Sequence, residues 1–205
     1  RRPPLRQARR PPLRRHGSWS GRGDDVPAIG FLGRLVMEKG LDVFSDTIDQ
    51  LHRRNIRHKV LVIGEGPARH WFESRLPDAA FVGFQGGADL ARAVASMDIL
   101  FNPSVTETFG NVTLEAMACG LPVVAAKATG SQSLVEDNRS GRLITPGAIA
   151  QYAEALRLYC EDPALRALHG KAGEQRSLDY SWDAINQAVA DTYLRLIRQR
   201  SVRGS

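Results

Sequence analysis

The chain holds only two cysteines in 205 residues. Cys119 and Cys160 form no Cys-x-x-Cys pair and have no histidine at metal-ligand spacing, which argues against a zinc module or a disulfide framework. They read as reduced, small hydrophobic residues of a cytosolic protein. No run of about 18 apolar residues exists, so the sequence offers no transmembrane helix. No apolar signal-peptide region stands near the start. Acidic residues are missing from positions 1–23, which hold eight arginines. The remaining positions carry 20 basic and 22 acidic residues, a net charge of −2, so the chain's overall +6 belongs to its first segment. That distribution excludes a basic nucleic-acid-binding domain as the globular part. Lysine is scarce, four against 24 arginines, a bias that reads as genome composition.

What is present divides into three parts. Residues 1–25 are an Arg/Pro-rich linker or arm, with RRPPLR at Arg1–Arg6 and again at Arg9–Arg14. Proline and arginine at this density disfavour both helix and core burial. Residues 26–180 alternate short apolar runs with helical spacing, and residues 181–205 form a last helix and tail. Strands are predicted at Ala28–Leu32, Lys59–Ile63, Ala79–Val82, Asp98–Phe101, Leu121–Ala125 and Arg142–Ile144. Helices are predicted at Lys39–His52, Ala68–Leu76 (with Pro67 as its first residue), Ala88–Ala95, Val112–Cys119 and Ser131–Glu136. Helices alone follow, at Ala148–Glu161, Pro163–Leu168 and about Trp182–Ile197. This order predicts an α/β fold, a Rossmann-like parallel sheet of about six strands with helices on both faces and a helical C-terminus. With 42% hydrophobic residues the chain can build a real core. It begins at Arg1 without a methionine, from which a longer parent is expected.

In such sheets ligands bind beyond the carboxyl ends of the strands. The first of those loops reads GRLVMEKG, Gly33–Gly40. Arg34 and Lys39 place two cations between a strand end and a helix start, an arrangement suited to a diphosphate. The loop after strand four reads PSVTETFG and runs into NVTLEAMACG. Glu107 is a carboxylate on the loop. Gly110 allows close backbone approach. Asn111 is read as the helix cap, which leaves the amides of Asn111 and Val112 available as donors. Glu115 lies about one turn into the helix. Carboxylates accept hydrogen bonds from sugar and ribose hydroxyls, and amides with a helix dipole suit phosphate. Together they describe a nucleotide-sugar site. The five histidines (His16, His52, His58, His70, His169) are read as surface residues.

The strings GRLVMEKG, VIGEGP, FVGF, PSVTETFGNVTLEAMACGLPVVA, SGRLI and YSWD, spread from Ala28 to Trp182, resemble the retaining GT-B glycosyltransferases of family 4, the glycosyl transferases group 1. ETFGNVTLEAMACG looks closest to bacterial mannosyltransferase-like members. The resemblance implies one half of a GT-B fold, the half that binds the nucleotide sugar, with GDP-mannose favoured as donor and UDP-sugars next. It implies that Arg34 and Lys39 hold the donor diphosphate as it leaves, and that Glu107 contacts hydroxyls of the transferred sugar. Glu115 would bind the ribose. Thr108, Phe109, Gly110, Asn111 and Val112 would contact phosphate and sugar through backbone amides, beside Gly33. Gly64, Glu65, Gly83 and Phe84 would border the base. The family places its active site between two Rossmann-like domains, and nothing before Ala28 reads as the other, acceptor-binding one. The fragment is therefore expected to bind donor without transferring sugar efficiently. No resident cofactor is implied. No Asp-x-Asp motif occurs, so metal-independent donor binding is expected. The last helix carries Ile185, Val189, Tyr193 and Ile197 on one face, which would be exposed or paired with a second copy. A cytoplasmic location, with peripheral attachment of the parent to the inner membrane face, completes the expectation.

Two other readings follow from single features. Gly64-x-Gly66 after a strand suggests a dinucleotide oxidoreductase, but Arg69 stands where the third glycine of that fingerprint belongs. The arginine-rich arm suggests an RNA- or membrane-binding module. Only Trp19 lies among its arginines, and no RRM or KH signature is present.

Overall fold

The computed structural model describes residues 26–106 and 110–180. Six strands, β1 (Ala28–Leu32), β2 (Lys59–Ile63), β3 (Ala80–Phe81), β4 (Ile99–Asn102), β5 (Val123–Ala126) and β6 (Gly141–Ile144), form one sheet in the order β3-β2-β1-β4-β5-β6. Every pairing is parallel, from Ala28 opposite Lys59 on one side of β1 to Ile29 opposite Ile99 on the other. Parallel strands need crossover connections, and helices supply them. These are α1 (Leu41–Arg53), α2 (Arg69–Arg75), α3 (Gly87–Val94), α4 (Asn111–Ala118) and α5 (Thr129–Leu134), and two more helices, α6 (Ile149–Glu161) and α7 (Pro163–Ser177), follow the last strand.

The strands are apolar at nearly every position because both faces are covered. Ile29, Phe31, Val60, Val62 and Phe101 pack against Phe44 and Ile48 of α1, Phe72 of α2, and Tyr152 and Leu156 of α6. Leu61, Ile63, Leu100, Val123 and Ala125 pack on the other face, against Val94 of α3, Ala116 and Met117 of α4, and Leu134 of α5. Helix α7 covers α4 from outside. The phenylalanines form an edge-to-face group at the carboxyl end of the sheet: Phe31 lies 5.6 Å from Phe44 and 5.5 Å from Phe72. That group makes the floor beneath the loops that follow β1 and β4.

The predicted alternation holds, and the departures have physical causes. Pro67 lies in a turn, and α2 begins two residues later at Arg69 because Leu35 captures the Ala68 amide at 3.0 Å. Helix α7 continues nine residues past Leu168. Asp162 caps it by accepting from the Leu165 amide at 2.9 Å, and Gly170 lets α7 approach the main chain of Gly120. A Cβ at Gly170 would lie 2.1 Å from the Gly120 carbonyl oxygen. His169 is not a surface residue: it is 6% exposed, and its Nδ1 meets the Tyr159 hydroxyl at 2.7 Å. The helix predicted at Trp182–Ile197 lies outside the described residues.

Candidate functional site at the strand-order reversal

The strand order reverses between β1 and β4. The chain leaves β1 towards one edge of the sheet and leaves β4 towards the other. The two connections diverge there, and an open α/β sheet usually binds its ligand in the crevice at such a point. The loops that border it are Gly33–Gly40 and Pro103–Gly110, the two segments richest in candidate residues. They touch: the Thr106 hydroxyl donates to the Glu38 carbonyl at 3.4 Å, and a Cβ at Gly40 would lie 3.2 Å from the Pro103 carbonyl oxygen.

In the first loop Leu35 is the anchor. It is fully buried, its amide donates to Glu65 at 2.9 Å, and its carbonyl accepts from Ala68. Anchoring Leu35 leaves Arg34 at the exposed rim of the crevice. Met37–Lys39 then make one 3-10 turn, which closes with Gly40 in the left-handed region. Lys39 is half-buried and stands immediately before Gly40, the N-cap of α1. No side chain caps α1, so its first amides and the positive end of its dipole are left without a side-chain acceptor.

The loop after β2 is tied to its neighbours through backbone. The Gly33 amide donates to Ile63 at 3.0 Å, and the Gly64 amide donates to Gly83 at 2.9 Å. Gly64 has φ +144°, and a Cβ there would lie 1.8 Å from the Gly33 carbonyl oxygen. Only glycine fits such a contact. Glu65 is exposed and paired with Arg69, which also bonds Glu73 at 2.8 Å. Phe84, one residue past Gly83, is 79% exposed, a bare aromatic ring on the β3 side of the crevice.

On the β4 side the sequence reading needs one correction. Asn111 is the first helical residue of α4, and the N-cap is Gly110, with φ +85° and ψ +41°. A side chain at Gly110 would press on Leu134 at 3.1 Å and on the Gly130 carbonyl at 3.2 Å, so the cap position is held by glycine and no side chain satisfies the first turn. Asn111 is exposed, Val112 is half-buried, and the Leu114 amide closes the first turn onto Gly110 at 3.0 Å. Glu115 is half-buried in the next turn. Burial first, then the carboxylates of Glu115 and Glu174, push the Cys119 thiol up to about 11. Glu107, Thr108 and Phe109 lie outside the described residues.

The sequence reading passed over Asn102, Ser104 and Thr113. Asn102 ends β4 and is 6% exposed. Its Nδ2 donates to the Thr113 hydroxyl at 3.3 Å, and its Oδ1 accepts from the Ser104 amide at 3.3 Å. The signal was visible: a single amide closes the apolar run ILFN. A separate cavity of about 340 Å³, lined by Val26, Asn55, Arg57 and Glu161, opens at the amino end of the strands, away from the crevice.

Cations at a strand end, two helix starts without side-chain caps and a carboxylate one turn inside α4 are the chemistry that a phosphorylated, hydroxyl-bearing ligand would use. Comparison with known proteins goes further. The chain matches the glycosyl transferases group 1 family over residues 26–162 and belongs to it. It is 34% identical over 195 residues to the GDP-mannose-dependent alpha-mannosyltransferase of Mycolicibacterium smegmatis, covering 94% of this chain and 48% of that protein. It is 34% identical over 170 residues to the sulfoquinovosyl transferase of Arabidopsis thaliana, covering 80% and 32%. Among solved structures, HepE of Anabaena in complex with UDP superposes with a TM-score of 0.72 at 30% identity, covering 82% of this chain and 48% of that one. Sucrose-phosphate synthase of Thermosynechococcus elongatus does so with 0.74 at 28%, covering 85% and 46%. The chain thus spans half or less of the length of these relatives.

Proposed function

We propose that this chain is the donor half of a retaining glycosyltransferase, binding a nucleotide-diphosphate sugar whose glycosyl group the parent enzyme moves to an acceptor. The carrying observation is the contact of the Gly33–Gly40 and Pro103–Gly110 loops at the strand-order reversal, the first loop carrying Arg34 and Lys39 and the second leading into α4. In this reading Arg34, Lys39 and the α4 amides neutralise charge building on the departing diphosphate, a role that preorganised donors fill without a metal. Glu107 and Glu115 accept from sugar and ribose hydroxyls, and the loops at Gly64–Glu65 and Gly83–Phe84 border the base. GDP-mannose is the favoured donor, from the name of the mycobacterial relative; UDP-sugars come next, from the UDP complex of HepE. The acceptor is held by a second domain in the parent, and the chain alone binds donor without efficient transfer. Among the described residues no helix is long and apolar enough to cross a membrane, and the reading places the parent in the cytoplasm or at the inner membrane face.

The test is a calorimetric titration of the 205-residue chain with GDP, UDP, ADP and NAD, with and without EDTA. One nucleoside diphosphate is expected to bind, insensitive to EDTA. Glu115→Ala and Arg34→Ala are each expected to weaken it by roughly ten- to a hundredfold, the worth of about 1.5–3 kcal/mol for a hydrogen bond to a charged group. Binding of NAD alone, or loss of binding in EDTA, would contradict the reading.

A further inference from the structure

A polar chain joins α4 to the loop after β1. It starts on α4 at the Thr113 hydroxyl, passes to Asn102 Nδ2 at 3.3 Å, and leaves through Asn102 Oδ1, which accepts the Ser104 amide at 3.3 Å. The Ser104 hydroxyl then meets the Thr106 hydroxyl at 3.2 Å and accepts the Thr106 amide at 3.4 Å. Thr106 finishes the chain by donating to the carbonyl of Glu38, in the turn that carries Lys39. Asn102, Ser104 and Thr113 are all buried, at 6%, 1% and 0% exposure.

Buried amides and hydroxyls are retained where each has a partner, and removing one partner strands the other in a dry place. The position of Asn102 gives the network a consequence beyond stability. It is the last residue of β4, where strand order reverses. One of its arms reaches α4, which carries Gly110 and Glu115. The other fixes the turn leading to Glu107 and, through Thr106, the loop of Arg34 and Lys39. Asn102 thus joins α4 to that turn through the two ends of one side-chain amide. We infer that Asn102 is a positioning residue of the donor site, setting α4 and the β1 and β4 loops in register without itself touching the ligand. The inference rests on the donor reading proposed above.

The test measures UDP and GDP affinity by calorimetry, and amide hydrogen exchange without ligand, for the chain and for Asn102→Leu, Thr113→Val, the double variant, Thr113→Ser and Glu115→Ala. Asn102→Leu keeps the side-chain shape and removes both arms. It is expected to weaken the bound diphosphate about tenfold and to speed exchange at Ser104 and Thr106, with the β2 amides of Val60–Val62 still protected. Thr113→Ser keeps the hydroxyl and is expected to bind as the unsubstituted chain does. The double variant is expected to lose no more than Asn102→Leu alone, because both changes remove one shared link. Glu115→Ala is expected to lose affinity with no change in exchange at Ser104 and Thr106. Unchanged exchange and affinity in Asn102→Leu would overturn the positioning role. Absence of diphosphate binding by the unsubstituted chain would overturn the donor reading itself, and the role of Asn102 in it.

Discussion

Gly64→Ala is a direct probe of how the loops after β1 and β2 are fastened. A methyl group at this position must move from 1.8 Å to at least 3.0 Å from the Gly33 carbonyl oxygen, a shift of about 1.2 Å between two backbones in a close-packed region. That shift pulls on the Gly33–Ile63 hydrogen bond at 3.0 Å and the Gly64–Gly83 bond at 2.9 Å. Each is worth about 0.5–1.5 kcal/mol. The φ of +144° adds strain of about 1–3 kcal/mol for an L-residue. The expected destabilisation is about 3–5 kcal/mol, which at roughly 2–4 °C per kcal/mol lowers the melting temperature by about 10 °C. Gly147→Ala is the control: it has φ +77° and nothing within 4 Å. Left-handed strain there of about 1–2 kcal/mol is offset by about 0.4–1 kcal/mol of lost freedom in the unfolded chain. The assay is urea unfolding of both variants, with diphosphate titration of each folded protein. Equal stabilities for the two, with binding retained in Gly64→Ala, would refute the claim that Gly33 and Gly64 lock these loops together.

Burial first, then Arg142, lowers the pKa of His169 below its ordinary 6.5, against the opposing pull of Asp137. The unfolded chain therefore takes up this proton first, so the stabilisation is present above pH 6.5 and is lost as pH falls towards the folded value; urea unfolding at pH 7.5 and 5.5 is expected to show a shallower difference in His169→Asn. Tyr159→Phe strands His169 Nδ1 and is expected to cost about 1–3 kcal/mol at pH 7.5 by the same assay. Burial holds the thiols of Cys119 and Cys160 up at about 11 and about 12, so a thiol reagent at pH 7.5 is expected to react slowly until urea unfolds the chain; fast labelling of the folded chain would contradict their burial. Arg34 is exposed, and the diphosphate affinity is expected to fall between 0.1 and 1 M salt, where the Debye length shrinks from about 10 to 3 Å. Arg34→Ala is expected to flatten that dependence.

The strands were legible because each is a short apolar run buried on both faces, and β1 and β2 fall where periodicity places them. The strand order was not legible. Nothing in a local pattern says that β1 lies between β2 and β4, because that depends on crossovers far apart in sequence. The candidate loops were readable from Gly33–Gly40 and from Gly110 with Glu115, where cations, glycines and carboxylates concentrate. The roles of the glycines were only half readable. Gly170 lies beyond the predicted end of its helix, and its role in close packing depends on the fold: a Cβ there would lie 2.1 Å from the Gly120 carbonyl oxygen. Gly110 displaced Asn111 from the cap because the neighbouring α5 leaves no room for a side chain there. His169 and Asn102 escaped for one shared reason: polar residues read as surface until a distant partner, Tyr159 or Thr113, is brought to them by the fold.

The openness of the crevice separates binding from transfer in physical terms. Arg34 lies at an exposed rim, and Met37 and Val105 beside the crevice are 46% and 49% exposed. Two unit charges 4 Å apart interact by about 1 kcal/mol in bulk water and about 4 kcal/mol at an effective dielectric of 20. An uncovered Arg34 therefore contributes near the lower figure, and only covering the crevice raises it. On the proposed reading ground-state binding tolerates this, because amides at the starts of α1 and α4 and the carboxylate of Glu115 would also hold the ligand. Transfer does not, because a barrier falls only through interactions that strengthen as charge develops on the leaving diphosphate. The apolar side chains at the rim suit a covering surface that excludes water, and the cations beneath it gain most from that exclusion. On that reading donor affinity belongs to this half of the fold, while rate enhancement would need a second half closed over it.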